Sequence, residues 1–250
     1  MTLHVHPTAK LAPRVLLPGD PGRALLLAQA LLDAPAMFNH NRGLWGYSGT
    51  ALDGEALTIQ STGMGGPSAA IVISELIDLG ARRLIRVGTC GSLAPGLALG
   101  DLIAPPHALA ADGTSRALGA PERVPANAAL VDGLQASGAV ALAPVVSSDL
   151  FYEDRDELQA GWARAGVAAV EMECATLFAL AAKREVAAAA LLIVSDRVLP
   201  TRARIDTEAL GMAEHRAGEL ALAALGTRSG PSAVRAGISA EPGAGTQAEG

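Results

Sequence analysis

The sequence has 250 residues, of which 50% are hydrophobic, 18% charged and only 3% aromatic, and its formal net charge is −6. A chain of this length can bury a large core as one domain. The acidic balance argues against nucleic acid or an anionic membrane as a partner, because phosphate groups recruit clustered Lys and Arg. With few aromatic residues, the core must be built from Ala, Leu and Val, which suits helices packed on a sheet.

Other features of the sequence bear on its compartment. The two cysteines, Cys90 and Cys174, show no CxxC spacing, and the first residues, MTLHVHPTAK, lack the basic and long apolar regions of a signal peptide. The longest apolar stretch, residues 186–194, is too short to span a bilayer. We therefore expect a soluble cytoplasmic protein.

Short apolar stretches typical of strands alternate with helical patterns along the chain. The predicted strands are RVLLPG (14–19), ALTIQST (56–62), RLIRVGT (83–89), DLIAPP (101–106), APVVSS (143–148), VAAVEM (167–172) and AALLIVS (189–195). The predicted helices cover residues 22–33, 67–79, 127–137, 153–165, 173–185 and 207–226. This alternation predicts a single α/β domain with a mixed, mostly parallel twisted β-sheet flanked by helices.

The pattern changes near the carboxyl end. Residues 1–226 carry the alternating elements and form the predicted domain. From Thr227 the chain is rich in Gly, Ser, Ala and Pro without periodicity, which predicts a disordered tail over residues 227–250.

Three glycine-bearing loops follow predicted strands: GDPGR (19–23), STGMGGPSAA (61–70) and RVGTCGSL (86–93). Glycines let backbone N–H groups approach an anion, helix starts add partial positive charge, and a guanidinium grips it with two hydrogen bonds. Together the loops predict a site for one phosphate group. Each of the first two loops also has a simpler explanation: GDPGR could be a tight turn with a solvated Arg23, and GMGGPS could be only the start of a helix. Arg86 is different, because it lies inside an apolar strand and needs an anionic partner.

Two further groups of polar residues lie at strand ends. Glu171 and Glu173 interrupt an otherwise apolar stretch, GVAAVEMECATLFALAA (166–182). A carboxylate there can accept hydrogen bonds from the two hydroxyls of a sugar, and an ion pair with an arginine is the alternative. The strand LLIVSDRV (191–198) delivers Ser195 and Asp196 to its end, where helix capping is the alternative role.

The motifs occur in the order found in a known family. LLPGDPGRA, NRGLWGYSG (41–49), STGMGGPSAAIV, IRVGTCGSL, SSDLFY (147–152), VEMECA and VSDR resemble those of the nucleoside phosphorylase superfamily, which contains bacterial purine nucleoside phosphorylases and uridine phosphorylases. The resemblance covers residues 4 to about 225 and is strongest to the hexameric purine enzymes. It implies cleavage of purine (deoxy)ribonucleosides by inorganic phosphate, a co-substrate, to free base and (deoxy)ribose 1-phosphate, without metal or organic cofactor.

The resemblance also implies roles for individual residues. The phosphate ligands from one subunit would be Gly19, Arg23, Arg86 and Thr89. Arg42 would come from a neighbouring subunit of a homo-oligomer, expected to be a hexamer built as a trimer of dimers. His4 would reach the sugar 5′ hydroxyl across the same interface, and His6 is its rival.

The remaining roles concern the sugar and the base. Glu173 would bind the ribose 2′ and 3′ hydroxyls, and Met172 would pack on the sugar. The base pocket would be formed by Phe151, Val170, Glu171, Ser195 and Asp196.

The departing purine needs a proton, and Asp196 is the candidate general acid. Because free Asp titrates near pH ~3.9, this role requires surroundings that favour the protonated form. The family places an arginine beside this aspartate, but the matching position here is Ala209. Arg202 or Arg204 could substitute if the loop is rearranged.

Three other functions compete with this interpretation. Nucleoside hydrolases of the same fold lack the arginine of the GDPGR motif because water replaces phosphate, so Arg23 argues against them. Uridine phosphorylases share the fold, but the Gln and Arg that bind uracil in those enzymes have no counterparts at matching positions here. The segment FYEDRDELQ contains Arg155 and Gln159, but in the reverse order. A non-catalytic nucleoside-binding protein would be expected to lose Asp196 or the phosphate arginines, and the sequence has them all.

Overall fold

A mixed β-sheet lies at the centre of the fold in the computed structural model, which describes residues 2–138, 140–199 and 201–226. The helices are α1 (Pro21–Leu31), α2 (Gly66–Leu79), α3 (Gly113–Ala117), α4 (Ala128–Ala136), α5 (Asp156–Arg164), α6 (Cys174–Lys183) and α7 (Thr207–Gly226). The predicted tail, residues 227–250, lies outside the described residues.

The strands of the sheet are short at the edges and long at the centre. They are β1 (Arg14–Leu17), β2 (Leu32–Asn39), β3 (Gly46–Ala51), β4 (Ala56–Gln60), β5 (Arg83–Ser92), β6 (Leu102–Ala104), β7 (His107–Ala110), β8 (Arg123–Pro125), β9 (Val140–Leu142), β10 (Val145–Ser147), β11 (Ala169–Glu171), β12 (Ala187–Arg197) and β13 (Ala203–Arg204).

The order of one path through the sheet is β2-β3-β4-β1-β5-β11-β10-β7-β8, and β12 pairs with β5, β6 and β13. The pairs β1–β4, β1–β5 and β5–β12 are parallel, so several strands end at the same edge. Antiparallel pairs are added by β2–β3, β3–β4, β5–β11, β6–β12, β7–β8 and β12–β13. The predicted α/β class and mixed sheet are confirmed, although the sequence did not show which strand pairs are antiparallel.

Helices cover both faces of the sheet, and each face has its own core. Alternate residues of β5 show the division: Leu84 packs with α2 and α6, whereas Ile85 packs with α1, α4 and α7. On the second face, α7 approaches α1 closely at Gly218, because an added Cβ would lie 2.4 Å from Leu27 Cδ2. A residue with a side chain at position 218 would require the Leu27 side chain or one of the two helices to shift.

Several elements differ from the predicted ones. Helix α1 ends at Leu31, and the chain enters β2 at Leu32, two residues before the predicted helix end. Strand β2 was not predicted because Pro35 interrupts it, but an edge strand tolerates proline. Its register also shifts between Asp33 and Ala36.

The structure also bears on the cysteines and on membrane-spanning segments. Both cysteines are buried and free. Within the described ranges no helix combines the length and apolar character needed to cross a membrane.

Candidate active site

A cavity of about 930 Å³ lies where β1, β5 and β12 end. Among the described residues, it brings together every predicted site residue except His4. The predicted residues that border it are Gly19, Arg23, Arg42, Arg86, Thr89, Phe151, Val170, Glu171, Met172, Glu173, Ser195 and Asp196. Backbone hydrogen bonds join the first two glycine loops, since Gly63 N–H donates to Gly19 O at 3.0 Å.

Arg86 is a buried cation at the centre of this site. Its strand β5 lies between β1 and β12, and the side chain is 8% exposed. The guanidinium folds back over Gly88, where an added Cβ would lie 2.8 Å from its central carbon. Glycine at position 88 therefore makes room for the charged group.

Two carboxylates neutralise Arg86 in this state. Its Nη2 pairs with Glu173 Oε2, and its Nε lies 3.5 Å from Glu171 Oε2. Burial lowers the pKa of Arg86, but the carboxylates of Glu173 and Glu171 outweigh burial and raise the pKa above its ordinary value. Arg86 therefore stays charged inside the protein.

The pairing of Arg86 is incomplete. Its Nε and Nη1 are buried and have no hydrogen-bond acceptor in the part of the chain that the structure describes. Nη1 faces the first glycine loop, because a Cβ added to Gly19 would lie 3.7 Å from it. Buried donors without an acceptor are costly. The site thus offers hydrogen bonds to an anion held between β5 and the first glycine loop.

Both oxygens of Glu173 are occupied. Oε1 accepts a hydrogen bond from Gly65 N–H at 2.5 Å, and Oε2 pairs with Arg86. Gly65 immediately precedes α2, so Glu173 ties the second glycine loop to β5. In the sequence analysis, an ion pair with an arginine was the alternative to sugar binding for this glutamate. The structure contains that ion pair, between Glu173 and Arg86.

Glu171 has a structural task that its sequence pattern did not reveal. Its carboxylate accepts hydrogen bonds from the N–H groups of Glu173 and Cys174, at the start of α6, and from Ser147 Oγ. Such a carboxylate stabilises a helix amino terminus. Burial raises the pKa of Glu171, although Arg86 opposes this shift. Its predicted contact with the base stays a prediction.

Arg23 lies in the first turn of α1, which Asp20 caps by accepting a hydrogen bond from Gly22 N–H at 2.9 Å. The alternative of a solvated Arg23 is wrong, because its side chain is only 9% exposed. Its Nε donates to Glu214 Oε1 at 2.7 Å. Glu214 comes from α7 and does not belong to the predicted site.

Asp196 lies near the end of β12, just after an irregularity in its pairing with β5. Ser195 Oγ donates to Asp196 Oδ2 at 2.7 Å. The hairpin to β13 places Arg204 opposite Asp196, with Nε 3.9 Å from Oδ1. Asp196 is therefore in a strand, and helix capping is not its role here.

The lining of the cavity includes both apolar and basic side chains. Phe151 is 57% exposed, and its ring contacts that of Tyr152 edge to face. Val170 and Met172 are partly buried. Arg42 is exposed in a short 3-10 turn and borders the cavity of its own chain. Its delivery to a neighbouring subunit stays a prediction.

His4 does not line this cavity. It contacts Glu75 of helix α2 instead. Its Nδ1 is 2.9 Å from Glu75 Oε1. The same carboxylate accepts hydrogen bonds from the N–H groups of Leu3, His4 and Val5. The His6 ring lies near the local backbone, with Nε2 3.2 Å from Leu3 O, and the backbone N–H of His6 donates to Asn39 Oδ1 at 2.9 Å.

Sequence reasoning missed two residues: Glu214, which pairs with Arg23, and Glu75, which pairs with His4 outside the cavity. Glu214 carried a signal, because it occupies the buried stripe of α7 where apolar residues were expected. Arg204 was considered, but only the hairpin decides between it and Arg202. The described residues contain no group of three or more His, Cys, Asp or Glu arranged to hold a metal ion.

The arrangement of glycine loops, buried arginines and sheet agrees with a known family. The sequence matches the profile of the Phosphorylase superfamily over residues 13–226. The chain belongs to this superfamily.

Its relatives include purine nucleoside phosphorylases of the DeoD type. The one from Geobacillus kaustophilus is 38% identical over 208 residues, which are 80% of this chain and 87% of that protein. The one from Clostridium beijerinckii is 39% identical over 206 residues, or 78% and 86% of the two chains. The crystal structure of uridine phosphorylase from Vibrio fischeri has a TM-score of 0.77 and 27% identity, covering 86% of this chain and 92% of that one. The predicted fold and family are confirmed.

Proposed function

We propose that this protein is a purine nucleoside phosphorylase. It cleaves the N-glycosidic bond of purine (deoxy)ribonucleosides with inorganic phosphate and releases the free base and (deoxy)ribose 1-phosphate. The family and its DeoD-type relatives support this activity. A non-catalytic nucleoside-binding role is less consistent with the site, which retains Arg23, Arg86 and Asp196 around one cavity.

The single observation that carries the proposal is the state of Arg86. A buried guanidinium whose Nη1 has no hydrogen-bond acceptor among the described residues and faces the first glycine loop is suited to an anion. Water, as the nucleophile of a hydrolase, needs no such group. The phosphate ligands in this proposal are Gly19, Arg23, Arg86 and Thr89, with Arg42 from the neighbouring subunit.

The ion pair between Arg86 and Glu173 gives phosphate a second task. When phosphate binds Arg86, it competes with Glu173 for the guanidinium, and the carboxylate becomes free to accept hydrogen bonds from the ribose 2′ and 3′ hydroxyls. Met172 then packs on the sugar. Holding the phosphate against C1′ removes much of the entropy cost of a reaction between two molecules.

The reaction proceeds through a ribose with oxocarbenium character. A phosphate oxygen forms a bond to C1′ while the bond from C1′ to the base nitrogen breaks, and the electron pair leaves with the purine. The negative phosphate stabilises the cationic sugar. Phe151, Val170, Glu171 and Ser195 surround the departing base.

Asp196 is the proposed general acid, which donates its proton to purine N7 as the bond breaks. Arg204 is the proposed partner of this aspartate, in place of the arginine that the family pattern would put at position 209. The 3.9 Å separation of Arg204 Nε and Asp196 Oδ1 favours Arg204 over Arg202. Once the proton has left, the guanidinium stabilises the carboxylate.

The proposed protein is a cytoplasmic homo-oligomer, a hexamer built as a trimer of dimers, that uses neither metal nor organic cofactor. Closed symmetric assemblies are the usual form of soluble oligomers. The position of His4 outside its own cavity supports a role in a neighbouring site, where its ring would meet the ribose 5′ hydroxyl.

Uridine phosphorolysis is the second candidate, because a uridine phosphorylase shares the fold and Gln159 borders the cavity. Against it, the Arg155 guanidinium is 62% exposed and pairs with Glu153, and Arg155 is absent from the cavity wall. The two candidates differ in the base that they release.

The test is base release from adenosine, inosine, guanosine and uridine by phosphate-free protein, with and without added phosphate. We expect purine release only with phosphate, in equal amount with ribose 1-phosphate. Equal release without phosphate would refute phosphorolysis, and faster cleavage of uridine would favour the second candidate.

Arg23→Ala tests the anion site directly. We expect a higher KM for phosphate and a lower turnover, with a loss of about 2 kcal/mol in transition-state stabilisation. The matched control is Arg184→Ala, which removes an arginine paired with Asp78 on the surface. An unchanged phosphate response in Arg23→Ala would show that this residue is not a ligand.

A further inference from the structure

Glu214 is a buried carboxylate on an otherwise apolar helix face. The other buried residues of α7 are Ala217, Gly218, Ala221, Leu222, Ala224 and Leu225. A carboxylate in such a stripe is costly unless it is paired. Its presence at the first buried position of the helix therefore requires a specific partner.

That partner is Arg23. The two side chains are 9% and 12% exposed, and Arg23 Nε donates to Glu214 Oε1 at 2.7 Å. Among the described residues, the other hydrogen bond of the guanidinium is a long one, from Nη1 to Val87 O at 3.5 Å. Glu214 thus provides the strongest described restraint on the orientation of this guanidinium.

The two residues of the pair lie on different sides of the cavity wall. Arg23 borders the cavity, whereas Glu214 is not among its lining residues. A guanidinium is planar, so fixing its Nε edge also fixes the plane of its two terminal nitrogens. Those nitrogens form the edge that grips a phosphate with two parallel hydrogen bonds.

We infer that Glu214 is a positioning residue for phosphate binding, acting through Arg23 without touching the substrate. The inference rests on the proposed function, which makes Arg23 a phosphate ligand. An arginine held before phosphate arrives loses less side-chain freedom on binding, and the affinity for phosphate rises accordingly.

The charge of Glu214 acts in the opposite direction, since a carboxylate near the site repels phosphate. The two effects are separable by substitution. Glu214→Gln keeps an oxygen that can accept from Arg23 Nε and removes the charge, whereas Glu214→Ala removes both. Positioning predicts that only the alanine variant loses phosphate affinity, and simple repulsion predicts that both variants gain it.

The experiment measures the KM for phosphate, the KM for inosine, kcat and the melting temperature of both variants. We expect Glu214→Ala to raise the KM for phosphate about tenfold while the KM for inosine changes little. Glu214→Gln should stay within about threefold of the parent protein. The matched control is Glu219→Gln, which removes an exposed carboxylate from the same helix.

A double-mutant cycle with Arg23→Ala completes the test. If Glu214 acts only through Arg23, Glu214→Ala has no further effect on the KM for phosphate once Arg23 is alanine. Additive losses would overturn the inference. A fall in melting temperature with all kinetic constants lowered together would also overturn it, because that is the result of a purely structural role.

The same cycle separates this inference from the proposed function. An unchanged KM for phosphate in Arg23→Ala alone would refute the role of Arg23 as a ligand. A raised KM in Arg23→Ala, together with parent-like values in both Glu214 variants, would refute only the role of Glu214.

Discussion

Replacing Arg86 by alanine is expected to lower the free energy of unfolding by about 3–5 kcal/mol, because it leaves buried carboxylates without their cation. At the 3.5 Å that separates Arg86 Nε from Glu171 Oε2, the attraction is about 5 kcal/mol for an effective dielectric constant of about 20. Glu173 contributes a second, closer contact. Folding of the parent protein must remove water from the Arg86 charge, and this cost, which the alanine variant avoids, offsets part of the attraction.

The destabilisation should depend on pH. Burial raises the pKa of Glu171, and removing Arg86, which opposes this shift, raises the folded-state pKa further above that of the unfolded chain. The penalty is therefore complete at pH values above the raised pKa of Glu171 and shrinks as the pH falls below it. The difference between the parent and Arg86→Ala should be smaller at pH 5 than at pH 8.

Urea unfolding at fixed protein concentration, followed by circular dichroism, measures these differences. Adding Glu173→Gln to the Arg86→Ala variant should restore part of the lost stability, since one unpaired charge is removed. Arg184→Ala is the control, and its exposed pair should contribute less than about 1 kcal/mol. A loss below 1 kcal/mol in Arg86→Ala, the same at both pH values, would refute the reasoning.

Three further predictions concern chemistry, assembly and the amino-terminal segment. Asp196→Asn should slow adenosine cleavage by ~10²–10⁴ and affect a 7-methylated purine nucleoside much less, and parallel losses in kcat would contradict the acid role. Mixing the inactive variants Arg42→Ala and Asp196→Ala should restore some activity if subunits share sites, whereas no recovery after re-association would argue against sharing. Burial opposes the charge of Glu75, but hydrogen bonds from Val5 and His4 lower its pKa to about 2. The stability that Glu75 adds is thus present above its ordinary pKa and lost as the pH falls toward 2, and melting curves of Glu75→Ala should converge with the parent there.

Local sequence patterns were sufficient for much of this site. Glycine-rich turns after apolar strands are local signals, and parallel strands bring their ends to one edge, so Gly19, Arg86 and Asp196 could be placed together from the sequence. Helices with clear periodicity were also predicted close to their observed bounds. The α/β class followed from the same alternation.

The missed features depend on contacts distant in sequence. Arg23 and Glu214 are 191 residues apart, and no local spacing specifies that α7 returns to α1. Glu171 was missed for another reason: its hydrogen bonds from Glu173 and Cys174 are local, but the sequence does not show that β11 ends at Glu171 and that α6 begins at Cys174. The hairpin between β12 and β13 is short, and only its register shows that Arg204, two residues beyond Arg202, faces Asp196.

The close approach of α7 to α1 at Gly218 has a consequence for how the protein tolerates mutation. Gly218 lies one helical turn after Glu214, so a side chain at position 218 that pushes α7 away from Leu27 also moves the carboxylate that restrains Arg23. If Arg23 binds phosphate as proposed, the KM for phosphate then becomes sensitive to a packing defect that touches no phosphate ligand. A kinetic screen of random variants would identify such interior positions as phosphate-binding mutants, and α7 would rank among the most sensitive of the described elements.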